Sequence, residues 1–357
     1  MTAPRLEIDL EAIAHNTRTL VAQLEPLGIA VTGITKASLG SPGVGAAMLR
    51  GGATGLGDSR IENLARLGAG GIPTCTTLIR SPMVSQAHLV VRDADISLNT
   101  EAVVIDSLAA AALDQGTTHA VVVMVELGDL REGVPVVDVF DLCRRVVKTP
   151  GVELAGLGTN LACQSGVAPD QVKMDELSRL VEKVESGCDR GLSIVSGGNS
   201  ANLDWALSTA DSGRINNLRL GEAILLGNEP LHRRALDGLR TDAFTLVAEV
   251  IEVKTKPALP WGDTAQAAFG TPPTRRNGEL VRQAIVALGR QDTDPDGLTP
   301  PPGITILGMS SDHLVLDLGD HEISVGDELP FGVGYGALLR AATSPFVSKK
   351  GLSAPLS

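Results

Sequence analysis

Apolar residues in this chain alternate between two rhythms. Short unbroken runs such as Ala120-Val121-Val122-Val123-Met124-Val125 suit strands buried on both faces. Between the runs, apolar residues fall at helical spacing, as at Ile13, Leu20 and Leu24. The runs predict strands at 29–35, 54–58, 74–78, 95–99, 119–126, 152–160, 193–196 and 217–221. Helices are expected at 44–50, 61–68, 83–87, 101–113, 135–147, 171–187 and 202–206, with a strand at 4–10 and a helix at about 10–24 ahead of them. Eight regular strand-and-helix units predict a (β/α)8 TIM-type barrel; an open doubly wound sheet would rarely need so many.

After about residue 230 the rhythm changes. Residues 243–256 read as a long strand and 257–276 as a loop-rich stretch. Short strands follow at 280–289, 303–309, 313–318, 322–324 and 328–331, separated by turn signals such as Asp296-Gly297. The expected division is a barrel over 1–232, whose first strand could join the other domain, and a mostly-β domain over 233–357. The tail from Ser348 is expected to be mobile.

Composition sharpens this picture. Aromatics are 2% of 357 residues, with Tyr335 the single tyrosine, so the core must be aliphatic. A net charge of −12 argues against nucleic acid or an anionic membrane as partner. No apolar stretch is long enough to span a bilayer, and the N-terminus lacks a basic stretch leading into an apolar one, so a cytoplasmic location is expected. Cys75, Cys143, Cys163 and Cys188 are scattered without paired spacing, which suits a reducing compartment and gives no metal-ligand pattern.

Barrel chemistry sits where the strands finish. There the sequence places Lys36; Asp58 and Arg60; Asn99; Glu126, Asp129 and Arg131; Thr159 and Asn160; Ser196 to Ser200; and Arg219, Gly221 and Glu222. A lysine partly withdrawn from water has a depressed pKa, and its neutral amine can form a Schiff base; otherwise it simply reaches past the strand end to solvent. Ser196-Gly197-Gly198-Asn199-Ser200 can present backbone N–H groups to a phosphate, or merely cap a helix. Arg219-Leu220-Gly221-Glu222 offers a second set of such donors or an ordinary strand end. A lysine facing a phosphate cradle suggests pyridoxal phosphate (PLP) or a sugar phosphate.

Several segments together carry a resemblance. They are Gly57-Asp58-Ser59-Arg60-Ile61-Glu62-Asn63, Ala94-Asp95-Ile96-Ser97-Leu98-Asn99, Glu126-Leu127-Gly128-Asp129-Leu130-Arg131-Glu132-Gly133, Gly158-Thr159-Asn160-Leu161, Asn216-Asn217-Leu218-Arg219, Gly289-Arg290-Gln291-Asp292 and Ser310-Ser311-Asp312-His313. Over nearly its whole length the chain resembles the PLP-dependent alanine racemase-like enzymes, more closely their ornithine racemase branch. The resemblance implies a PLP barrel followed by a β domain, in a homodimer with shared active sites. It implies that Lys36 holds PLP and acts as base on one face of the substrate Cα, and that Arg219 donates to the pyridine nitrogen. Ser200 and the backbone at Gly221 and Glu222 would bind the phosphate, Asn199 supporting that turn and Tyr335 reaching the phosphate from the β domain. Asn160 takes a supporting place where alanine racemases carry histidine. Arg131 would orient the ring oxygen and substrate carboxylate, and Asp312 would line the other subunit's pocket.

Two departures matter. Gly289-Arg290-Gln291-Asp292 stands where alanine racemases have a motif carrying a catalytic tyrosine for the second face, and arginine is a poor proton carrier at neutral pH. Gly40 replaces the phosphate-touching tyrosine near the lysine, and Met124 replaces a lysine that some alanine racemases carbamylate. The second base is therefore open among Asp292, Asp312, His313, a relayed water, or Lys36 alone.

The expected reaction is racemisation of a basic amino acid such as ornithine or lysine. A distal ammonium needs an acidic partner, for which Asp58, Asp129, Asp292 and Asp312 are candidates. The alternatives are racemisation of alanine or serine, a PLP lyase acting on D-hydroxy amino acids, and a non-catalytic PLP carrier. The lyases bind metal through a later His-x-Cys pair, and no cysteine follows Cys188. Carriers are usually a bare barrel.

Overall fold

The computed structural model describes residues 2–267, 269 and 280–352. The chain divides into two units, one of residues 11–241 and one of residues 1–10 with 242–357.

The first unit is a closed barrel of eight parallel strands. After β1 (Arg5–Asp9) and α1 (Leu10–Leu24), the barrel strands are β2 (Ala30–Ile34), β3 (Gly55–Asp58), β4 (Cys75–Leu78), β5 (Ile96–Asn99), β6 (His119–Val125), β7 (Val152–Thr159), β8 (Ile194–Gly198) and β9 (Asn217–Leu220). The helices between and after them are α2 (Pro42–Arg50), α3 (Ile61–Ala69), α4 (Ala87–Asp93), α5 (Ala102–Asp114), α6 (Val139–Lys148), α7 (Gln171–Cys188), α8 (Leu203–Ser208) and α9 (Glu222–Leu226). The ring closes where β2 pairs with β9, Thr32 opposite Arg219. Leu98, Val122, Met124 and Ala155 form one buried cluster, aliphatic as the composition requires.

Two helices begin later than their apolar pattern suggests. α4 starts at Ala87, after a 3-10 turn at Val84–Gln86, and buries Ala87 and Val90. α6 starts at Val139 because Val134 is held against β6, its N–H reaching the Met124 carbonyl at 2.8 Å.

The second unit is an antiparallel sheet. Its strands are β10 (Phe244–Pro257), β11 (Leu280–Val286), β12 (Leu298–Thr299), β13 (Thr305–Met309), β14 (Leu314–Asp317), β15 (Glu328–Val333) and β16 (Ser348–Leu352), with α10 (Tyr335–Thr343) between the last two. Their path runs β12-β15-β10-β11-β14-β13, and β1 joins it antiparallel to β10. Part of the 257–276 stretch lies outside the described residues.

Two expectations are corrected here. The tail from Ser348 forms β16 over residues 348–352, parallel to β1 with Leu6 opposite Lys349, and residues 353–357 lie outside the described residues. Residues 322–324 form no strand, because Arg282 donates to the carbonyls of His321 and Ile323 and so takes acceptors a ladder would use.

Candidate active site

Lys36 opens a short 3-10 turn, Lys36–Ser38, just beyond β2. Leu39 and Gly40 close the turn in left-handed conformations, at φ 55° and 60°. A Cβ on Gly40 would stand 2.5 Å from the Asn63 carbonyl oxygen, so glycine is required there. The Ser38 hydroxyl and the Gly40 N–H both donate to the Thr35 carbonyl, at 2.9 and 3.3 Å.

Thr35 is anchored in turn by Asp58. Its Oγ1 donates to Asp58 Oδ2 at 2.8 Å, while Asp58 Oδ1 accepts from Asn63 Nδ2 at 2.9 Å and the Arg60 N–H at 3.0 Å. Burial pushes the Asp58 carboxyl up, against the pull of its Asn63 and Thr35 hydrogen bonds. Asp58 is thus committed to the turn that carries Lys36, and its link to Arg60 runs through the backbone. Burial also pushes the Lys36 ammonium down; Arg131 and Arg219 add to that, while Cys163 and Asp58 oppose it.

On the opposite side of the mouth, Asp129 is buried. It accepts from the N–H groups of Cys163, Gln164 and Ser165, the Gln164 bond being 2.9 Å. Burial raises its carboxyl, and these backbone donors outweigh that and leave the pKa below normal. Asp129 therefore holds the loop after β7 and is not free for a distal ammonium. Arg131 makes a two-pronged ion pair with Glu132, and that pairing pushes the guanidinium pKa up.

Asn199 ties the ends of β7 and β8 together. Its Nδ2 donates to Asn160 Oδ1 at 3.1 Å and the Leu161 carbonyl at 2.8 Å, and lies 3.5 Å from Cys163 Sγ. Its Oδ1 accepts from the Ala201 N–H at 2.8 Å, capping the turn that leads into α8. Gly198, at φ 145°, allows this: a Cβ there would lie 2.1 Å from Asn202 Oδ1.

Arg219 is buried within the barrel and donates to neutral partners. Its Nη2 donates to the Thr159 carbonyl at 2.8 Å and its Nη1 to Ser196 Oγ. The Ser196 hydroxyl in turn donates to Asn217 Oδ1 at 2.8 Å, and Asn217 Nδ2 donates to Thr32 Oγ1 at 2.9 Å. Burial pulls the guanidinium down to about 10, which still leaves it charged at neutral pH. Beside it, Ser200 Oγ accepts the N–H groups of Gly221 and Ala223, at 3.3 and 3.2 Å. Burial raises the Glu222 carboxyl; its ion pair with Arg233 and the charge of Lys36 pull it back.

The barrel mouth thus gathers Lys36, Arg131, Asn160, Asn199, Ser200, Arg219, Gly221 and Glu222. Tyr335, Asp292 and Asp312 belong to the other unit. Tyr335 opens α10. Asp292 is buried, accepting the Gly289 N–H at 2.9 Å and the Ser344 hydroxyl at 3.3 Å. Asp312 is exposed and bonds His313 Nδ1 at 2.8 Å, which holds its pKa below normal. Arg290 lies over the Phe269 ring, 5.1 Å from its centre.

Some of these roles were hidden in the sequence. Cys163 looks like one of four scattered cysteines, and only its place just past the Gly158-Thr159-Asn160-Leu161 strand end hints at the site. Glu132 is Arg131's neighbour in the sequence, and nothing in the sequence shows that the two side chains pair.

Comparison with known proteins places the chain. Residues 8–229 match the family model described as alanine racemase, N-terminal domain. The chain is 37% identical over 355 residues to a lysine racemase of Thermotoga maritima, covering 98% of each. It is 38% identical over 297 residues to an ornithine racemase of Acetoanaerobium sticklandii, covering 82% of this chain and 84% of that one. The crystal structure of alanine racemase from D-cycloserine-producing Streptomyces lavendulae superimposes with a TM-score of 0.77 at 20% identity, over 99% of both chains, a likeness of fold. The matched segment runs through every barrel strand from β2 to β9, and the chain belongs to the alanine racemase N-terminal domain family.

Proposed function

We propose that this protein is a PLP-dependent racemase interconverting the L and D forms of a basic amino acid of the lysine or ornithine kind. The observation that carries the reading is a partly desolvated Lys36 sharing one barrel mouth with Arg219 and the Ser200–Gly221 cradle. The lysine and ornithine racemases among its relatives support the substrate class.

The residues present fit PLP. Ser200 Oγ sits between two backbone N–H groups and marks where an oxygen acceptor belongs. Asn99 Oδ1 and Asn160 Nδ2, buried at strand ends of the same face, have no hydrogen-bond partner among the described residues. A donor set of hydroxyl and backbone N–H groups suits a phosphate, and an uncharged amine suits a carbonyl.

PLP, when bound, supplies an electron-withdrawing ring that makes the substrate Cα–H acidic. Lys36 holds the cofactor and moves the proton at its Nζ, a task its lowered pKa favours. By resemblance Arg219 would donate to the ring nitrogen; still charged at neutral pH, it would keep its own proton and leave that nitrogen unprotonated, which would weaken the electron sink and limit side reactions such as transamination. Its chain of bonds to Ser196, Asn217 and Thr32 fixes which way it donates. Ser200 and the N–H groups of Gly221, Glu222 and Ala223 would hold the phosphate and Asn199, bonded to Asn160, braces that turn; for Tyr335 a phosphate contact is implied by the resemblance alone. Arg131 takes the substrate carboxylate. By resemblance the protein is a homodimer in which Asp312 and the segment holding Asp292 serve the other subunit's site; sedimentation equilibrium tests the dimer.

The deciding experiment incubates the PLP-loaded protein in D2O with L-ornithine, L-lysine, L-arginine, L-alanine and L-serine, following Cα deuterium and chirality. Exchange with inversion of a basic amino acid is expected. Exchange with retention would mean that the second face lacks a working base, and no exchange with any of the five would overturn the reading.

A further inference from the structure

We infer that Glu132 is the residue that selects a basic side chain, taking the substrate's distal ammonium after releasing Arg131 to the substrate's carboxylate. This rests on the racemase reading above and deepens it.

A distal ammonium needs a carboxylate at the barrel mouth, and the structure narrows the choice among the barrel's own acids. Asp58 is bound by Thr35, Asn63 and the Arg60 N–H. Asp129 is bound by three backbone N–H groups. Glu126 accepts the N–H groups of Gly128 and Leu130 and shapes its own loop. Each is fixed by groups that a substrate could displace only by breaking the turn it holds. Glu222 is likewise paired with a single side chain, Arg233, but it follows Gly221 of the Ser200 cradle, so it would share that corner with the phosphate.

Unlike Asp58, Asp129 and Glu126, Glu132 bonds a single side chain, the neighbouring Arg131, and the pair is partly open to solvent, with side-chain exposures of 39% for Arg131 and 26% for Glu132. Opening a two-pronged pair has a cost, which a ligand offering an anion to Arg131 and a cation to Glu132 offsets at both ends. The pair sits in the loop after β6 at the barrel mouth, within electrostatic reach of the site: Arg131 acts on the charges of Lys36 and Arg219, and Glu132 on that of Arg219. A substrate carrying a carboxylate at one end and an ammonium at the other satisfies both members of the opened pair. A neutral amino acid occupies Arg131 alone and leaves Glu132 without its partner, which is the form of discrimination a paired site gives.

The test compares the PLP-loaded wild type with Glu132→Gln and Glu132→Asp. L-lysine is the basic substrate, and L-norleucine, of equal length without the ammonium, is the neutral one, read as substrate or as competitive inhibitor. Glu132→Gln should lower kcat/KM for L-lysine by roughly tenfold or more, chiefly through KM, while norleucine binding holds or tightens. Glu132→Asp should retain part of the preference. Thermal melts establish that the variants fold. Equal losses with both amino acids would mean that Glu132 only steers Arg131, and no change with either would remove it from recognition; each outcome overturns the inference. If the wild type racemises no basic amino acid, the racemase reading falls first, and this inference with it.

Discussion

Burial lowers the pKa of both Lys36 and His119, with different consequences. Lys36 lies at the mouth, where a less basic amine is chemically useful. Lys36→Ala should abolish racemisation, and borohydride should fix the cofactor to the wild-type chain but not to the variant, as seen by intact mass. His119 sits at the start of β6, 2% exposed, with its Nε2 hydrogen-bonded to Ser97 Oγ at 2.8 Å. Burial pulls its pKa down to about 4. The unfolded chain binds this proton at about pH 6.5, so the fold keeps the residue's full contribution above that pH and loses it as pH falls toward 4. The loss approaches about 3 kcal/mol by the standard conversion. Denaturant melts of the wild type should weaken across this window, and His119→Gln should flatten the slope by about one proton.

At the scale of elements, the Lys36 turn and the loop after β7 are built the same way: a buried carboxylate gathers the donors of a segment without regular structure. Asp58 does this for the first and Asp129 for the second. The Lys36 turn also depends on Gly40. Gly40→Ala adds a left-handed alanine and a Cβ 2.5 Å from the Asn63 carbonyl oxygen. The two effects should cost about 3 kcal/mol together, and the melting temperature should fall by roughly 5–10 °C. A tyrosine at this position, as in alanine racemases, would meet the same obstruction. Glycine at this position therefore follows from the turn itself.

For the whole molecule, the first strand belongs with the last. β1 lies between β10 and β16, so residues 5–9 pair with 244–247 and 348–352. Deleting residues 2–9 should strip amide-exchange protection from β10 and β16 while leaving β2 to β9 protected. Loss of protection in the barrel strands as well would show that the two units unfold as one. The division near residue 241 lies beyond the 232 expected from pattern, because residues 234–240 still bond into the barrel unit: Arg234 reaches Asp204 and Glu229, and the Arg240 carbonyl accepts from Asn16 at 2.8 Å.

The sequence by itself determined the barrel, since each unbroken apolar run must be covered on both faces and eight such runs alternating with amphipathic helices leave few other solutions. It also determined which residues stand at strand ends, and so the gathering of Lys36, Ser200 and Arg219. It missed α10 and β16, whose places depend on contacts distant in the chain, such as Leu6 with Lys349. The tertiary structure alone decided which carboxylates are committed. Asp58, Asp129 and Glu132 look alike in a sequence, and only the packed loops show that the first two are held by several donors while Glu132 faces one opposing charge. The reason is physical: a strand's pattern is local, but a charge takes its role from the groups that folding brings within hydrogen-bond reach.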